Sequence, residues 1–182
     1  MKRSFQRGLL IAAVIITCVG CSASGKNDFK TLLAEHKGDG YGKVLSDSIA
    51  DIILDAKAVT CELQSKAIED SLRHDTICKL PTKSIPVIQY ILLHPDNFIS
   101  DNIVYGRYES WACLKFEASR KRTIYIELDF GLAKWRLLDN EKKVICQRDM
   151  HKNRLEILRF MRLLFPNDVT LNILYNNLTA KL

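Results

Sequence analysis

Two periods of hydrophobic and polar residues alternate along the chain, and the switches between them mark out its elements. Leu45, Ile49, Ile52, Ile53 and Ala56 recur at helical spacing. Asp47, Asp51 and Asp55 lie on the opposite side, which predicts an amphipathic helix capped at Ser46 or Asp47. Upstream, Phe29, Leu32, Leu33 and His36 suggest a short helix that breaks at Gly38-Asp39-Gly40-Tyr41-Gly42. The period then becomes two. Val59, Cys61 and Leu63 alternate with Thr60 and Glu62, and residues 76–80 read as a second short strand. Pro81 and Pro86 bracket a turn, residues 87–93 form an apolar helix or buried segment, and His94-Pro95-Asp96-Asn97 is a loop.

The most informative stretch runs from Ile103 to Arg148. Ala112, Leu114 and Phe116, then Ile124, Ile126, Leu128 and Phe130, then Trp135 and Leu137, then Val144 and Cys146 predict an antiparallel meander of about four strands with one face on the core. Face matching places Phe116 opposite Ile126, Leu114 opposite Leu128, Phe130 opposite Trp135 and Leu137 opposite Val144. Asp139 to Lys142 then form a type I turn. Two helices finish the chain. One carries Leu155, Leu158, Met161 and Phe165 on its apolar side and Lys152, Glu156, Arg159 and Arg162 on its wet side, and it stops at Pro166. The other is capped by Asn167 or Asp168 and presents Leu171, Leu174, Leu178 and Leu182. The fold class is therefore α+β: a meander, one or two short strands near residues 57–80, and flanking helices.

The N-terminus follows a different pattern. Lys2, Arg3 and Arg7 precede an uncharged run over residues 9–19, too short to span a bilayer comfortably. Val19-Gly20-Cys21 closes that run and resembles the lipobox of bacterial lipoproteins. That resemblance implies cleavage before Cys21 by signal peptidase II and a covalent diacylglycerol, with further acyl groups, on Cys21. Residue 18 is a cysteine where the family usually has an aliphatic residue. The expected organisation is a signal peptide over residues 1–20, a lipidated tether over 21–28 and a single domain over 29–182. The expected location is the cell envelope, at a membrane's periplasmic or surface face.

Charge changes meaning once the signal is set aside. The net charge of +6 includes the three signal cations, so the remainder carries 24 basic and 21 acidic side chains, net +3. That is no nucleic-acid binder's balance. The charge is also split: residues 21–110 carry −3 and residues 111–182 carry +6. Arg120, Lys121 and Arg122, with Lys142, Lys143, Lys152, Arg159 and Arg162, could meet anionic lipid head groups or an acidic partner. The outer face of the meander, with Trp111, Tyr125, Lys115, Glu127 and Asp129, is the other candidate interaction surface.

Four cysteines follow Cys21. Cys61 and Cys78 lie symmetrically about a hairpin centred on Glu69-Asp70, so they are the expected disulfide, with buried unpaired thiols as the alternative, while Cys113 and Cys146 point to opposite faces and cannot pair. No spacing of His, Cys, Asp or Glu matches a metal site, and no catalytic motif is present, so no cofactor is expected. The sequence supports a lipid-anchored binding module that engages a protein or glycan partner, either an envelope assembly subunit or an immunity-type inhibitor. The alternative is a small envelope hydrolase with its site on the outer sheet face.

Overall fold

The computed structural model describes residues 31, 37, 38, 40–64, 77–98, 106–119 and 122–180. Cys21, the signal and tether, the hairpin tip at Glu69-Asp70, and Arg120 and Lys121 lie outside the described residues, as does most of the helix expected over residues 29–36. The chain divides into two units, Met1–Glu35 and His36–Leu182, and the second holds the sheet and the helices that pack on it.

Six strands form one antiparallel sheet in the order β2-β1-β3-β4-β5-β6. They are β1 (Ala58–Leu63), β2 (Ile77–Lys79), β3 (Ala112–Glu117), β4 (Thr123–Asp129), β5 (Lys134–Leu138) and β6 (Val144–Asp149). Among the described residues four helices accompany it: α1 (Asp47–Leu54), α2 (Ile85–Leu92), α3 (Arg154–Leu164) and α4 (Val169–Thr179). The architecture is α+β, with two helices at the C-terminal end and a four-stranded meander, β3 to β6, extended by the two strands expected near residues 57–80.

Period-two patterning dictates which face is dry. Val59, Cys61 and Leu63 sit beside Phe116, Leu114 and Ala112, which in turn sit beside Ile124, Ile126 and Leu128. Trp135 and Leu137 complete that layer, and every one of these side chains is buried. Each large apolar side chain removed from water here contributes roughly 1.5–3 kcal/mol. The helices cover this face. Met161 of α3 brings its Sδ to 3.7 Å from Cys61 Sγ, and Phe98 meets Trp135 edge-on at 5.4 Å.

Buried amides solve the problem of the helix C-termini, whose last carbonyls have no partner within the helix. Gln89 donates from Nε2 to the carbonyls of Ile53 (2.6 Å) and Leu54 (3.2 Å), closing α1. Asn97 donates from Nδ2 to Ile91 (2.6 Å) and Leu92 (3.1 Å), closing α2. Its backbone carbonyl accepts the Trp135 indole N–H at 3.0 Å, and its Oδ1 accepts from Asn153 at the start of α3. Polar groups thus lock α1, α2, α3 and β5 together inside an apolar layer.

The expected faces are the observed ones except at Val144, which lies beside Leu138 and is exposed instead of facing the core, and the registers differ. Leu114 stands opposite Ile126 and Phe116 opposite Ile124, a shift of two residues that moves the β3–β4 turn one residue toward the N-terminus. Leu128, not Phe130, faces Trp135, and Phe130 is buried in the connecting loop. Leu137 faces Cys146 and Leu138 faces Val144, with an irregularity between the two. The turn at Asp139 is where the pattern placed it: Lys142 N–H donates to the Asp139 carbonyl at 3.0 Å. Lys142 then adopts φ 62, the left-handed residue that follows a type I turn in three-residue hairpins. A two-residue slip leaves every side chain on its own face, so alternation alone is blind to it.

Candidate interaction surfaces

Outward-facing side chains of the meander line up in rows across the strands. One row reads Glu62, Cys113, Glu127, Arg136, Gln147, and the next reads Thr60, Lys115, Tyr125, Leu138. Trp111 extends β3: its N–H donates to Leu128 and its carbonyl accepts from Gln64. The segment leading into it lies over the first row. The Arg136 guanidinium carbon lies 3.7 Å from the centroid of the Tyr108 ring, and Glu109 N–H donates to Asp129 Oδ2 at 2.8 Å. Cys113 in that row is buried, as is Leu138 in the next. Burial raises the Tyr108 hydroxyl well above the ordinary phenol range and pushes the Cys113 thiol, with Glu127 adding to the effect, up to about 11.

This face is therefore neither bare nor covered by a helix among the described residues. Its open part is the Tyr125 row, where charge is paired internally: Lys115 Nζ lies 2.7 Å from Glu117, and the Lys142 ammonium lies 5.3 Å from the Tyr125 ring centroid. Arg122 Nε donates weakly to the Ser119 carbonyl at 3.5 Å. Asp129 is buried, and its two oxygens accept from the Glu109 and Leu132 backbone N–H groups. It organises two loops and does not form a solvated acid/base couple with Glu127. Among the described residues, no group of three or more His, Cys, Asp or Glu could hold a metal ion.

The second surface lies between α3 and α4. Helical spacing puts Arg159 and Arg162 on the side of α3 away from the sheet, while Leu158 and Met161 are buried. Asp168 caps α4 by accepting Leu171 N–H at 2.8 Å, and this fixes the start of α4 after Pro166. Tyr175 on α4 then meets both arginines. The Arg162 guanidinium carbon lies 4.1 Å from the Tyr175 ring centroid, and that of Arg159 5.9 Å away. Arg162 Nε donates to Asn172 Oδ1 at 2.7 Å. Arg159 NH1 lies 2.7 Å from Glu156 Oε1, and its Nε donates to the Tyr175 hydroxyl at 3.4 Å. Together with Leu163 and Pro166 these side chains line a shallow hollow of ≈ 430 Å³. Leu163 is 80% exposed, and Val169 and Ile173 on α4 are also exposed.

The sequence marks Arg159 and Arg162 as a wet basic face, but Tyr175 lies at helical spacing from Leu171 and Leu178, so its spacing reads as apolar packing and does not point to the arginines. Lys152 does not share the arginines' helix, because α3 begins at Arg154. Its Nζ lies 3.4 Å from Asp96. Cys61 and Cys78 are direct register partners on β1 and β2, as the symmetric hairpin requires, and all four described cysteines are thiols. Among the described residues no helix is long and apolar enough to cross a membrane. No family model matches the chain, and neither the curated proteins nor the solved structures contain a significant match to it.

Proposed function

We propose that this chain is a binding module of the bacterial cell envelope, held at a membrane by a diacylglycerol on Cys21, and that it engages a protein partner through the α3–α4 face. One observation carries the reading: two guanidinium groups are held on one tyrosine ring beside an 80% exposed leucine. Arginine and tyrosine are enriched among residues that dominate binding energy, because they offer large area and directional donors at low entropic cost. A guanidinium has five donors, and only one on Arg162 is used by Asn172. The rest suit a carboxylate. The partner surface therefore carries acidic residues around an apolar contact for Leu163, which fits an assembly subunit or an enzyme neutralised by an immunity-type inhibitor.

Two measurements test this reading. The chain isolated from membranes should begin at Cys21 with the added mass of diacylglycerol and acyl groups, and Cys21→Ala should leave the membrane fraction. A partner recovered in stoichiometric amount by the wild-type chain should be lost with Arg162→Glu. Recovery of the same proteins by both chains would place the docking surface elsewhere.

A further inference from the structure

Of the pairings open to the four described cysteines, the sheet leaves one. Cys113 faces outward while Cys61 faces the core, so these residues on neighbouring strands β3 and β1 point to opposite sides. Cys78 lies two strands from Cys113 and also on the opposite face, about 9–10 Å away. Cys146 on β6 is three strands from Cys113, four from Cys61 and five from Cys78, roughly 14 Å or more. A disulfide needs Cα atoms within about 7 Å.

Cys61 and Cys78 meet that requirement by construction. They are opposite one another in an antiparallel pair. Leu80 N–H donates to the Val59 carbonyl at 2.9 Å, so the same parity makes Cys61 and Cys78 a hydrogen-bonded pair. Their Cα atoms are then about 5.5 Å apart, inside the disulfide window. In the thiol form Cys61 Sγ turns toward Met161 Sδ and Cys78 Sγ toward the Lys79 carbonyl, both at 3.7 Å. Forming the bridge requires each sulfur to leave that partner by rotation about χ1.

We infer that Cys61 and Cys78 are joined by a disulfide that staples the three-residue edge strand β2 to β1, leaving Cys113 and Cys146 as thiols. The oxidant is a disulfide donor, either a low-molecular-weight disulfide or an oxidised dithiol carrier. Cys78, the more accessible of the two, attacks a donor sulfur as thiolate, forms a mixed disulfide and releases one donor thiol. Cys61 as thiolate then attacks Cys78 Sγ, forming the S–S bond and releasing the second donor thiol. Two protons and two electrons pass to the donor. Burial holds the Cys61 thiol well above its ordinary range, so the second step is fastest before α3 closes over β1. β2 needs such a staple: it pairs through only three residues and exposes Ile77.

The test uses the full chain, purified in detergent, denatured and refolded with a mixture of reduced and oxidised glutathione, alkylated and mapped by mass spectrometry. The expected result is one linked peptide pair joining Cys61 to Cys78, two hydrogens lighter than the reduced chain, with Cys113 and Cys146 alkylated. The oxidised protein should melt roughly 6–12 °C higher than the reduced one, and Cys78→Ser should abolish that difference. Alkylation of both Cys61 and Cys78 in the oxidised sample would overturn the inference. A linked peptide joining either of them to Cys18, Cys21, Cys113 or Cys146 would do so too. The outcome is independent of lipidation and of the α3–α4 partner.

Discussion

The Arg162 guanidinium rests 4.1 Å from the centre of the Tyr175 ring, so the last two helices meet through a cation on an aromatic face as well as through apolar packing. The stack orders a long basic side chain that would otherwise move freely, and an ordered arginine loses less entropy when it binds. The same contact links stability to recognition.

Tyr175→Phe keeps the ring and loses only the hydroxyl's bond with Arg159, so its stability should fall by no more than about 0.5 kcal/mol. Tyr175→Ala removes the ring from both guanidinium groups and should cost about 1–2 kcal/mol, with partner affinity falling as well. Urea unfolding of the two variants checks the order. Equal losses would show that the hydroxyl, not the ring, holds the helices together.

Asn97 joins α2, β5 and α3 through bonds from both its side chain and its backbone. Asn97→Ala leaves the Ile91 and Leu92 carbonyls and the Asn153 amide without their partner in a buried region. The expected loss is about 2–4 kcal/mol, larger than for an exposed asparagine. Trp135→Phe removes one donor and some volume, and should cost about 1–3 kcal/mol. Chemical denaturation measures both.

Lys134 Nζ lies 3.0 Å from Asp149 Oδ2, with the two side chains only 13% and 6% exposed. Asp149 also accepts the His151 N–H at 2.6 Å. Asp149→Ala takes the carboxylate from a buried ammonium and the acceptor from the His151 N–H, and should cost about 3–5 kcal/mol. Replacing both partners with apolar residues of similar size should restore much of that loss. A double replacement as damaging as the single one would show that the pair contributes more than the cost of burying it.

Stability should also fall in alkaline solution, and Cys113 contributes to the fall. The charged form of a thiol is its anion. The native state holds the Cys113 proton to about 11, against 9.0 for an unperturbed thiol. Between those values the unfolded chain binds fewer protons, so unfolding becomes easier as pH rises through the window. Glu127 and Glu62 reinforce the shift and Lys142 opposes it. Cys113→Ala should flatten the decline between about pH 9 and 11, measured as unfolding free energy against pH. An unchanged slope would assign the decline to other groups.

Much of this molecule is legible in its residues. Val59, Cys61 and Leu63, or Leu114 and Phe116, announce their face because burial on one side of a strand demands period two. The partner of each residue is not announced, since Phe116 is equally apolar opposite Ile124 or Ile126. The neighbour of β1 is likewise hidden: β1 pairs with β3 across a long stretch of chain, and nothing local to Ala58–Leu63 encodes that choice. Cys61 and Cys78 can be matched from sequence because a hairpin makes partnership a matter of symmetry. Tyr175 cannot, because its partners come from a different helix.

The most direct measurement of the docking claim places a photo-crosslinking residue at position 163 between α3 and α4, and separately at position 115 on the outer sheet face, in the full chain at the membrane. A single defined protein adduct from position 163, absent from 115 and weakened roughly thirtyfold by Arg162→Glu, is the expected result. An adduct from position 115 with none from 163, or adducts indifferent to Arg162, would contradict it.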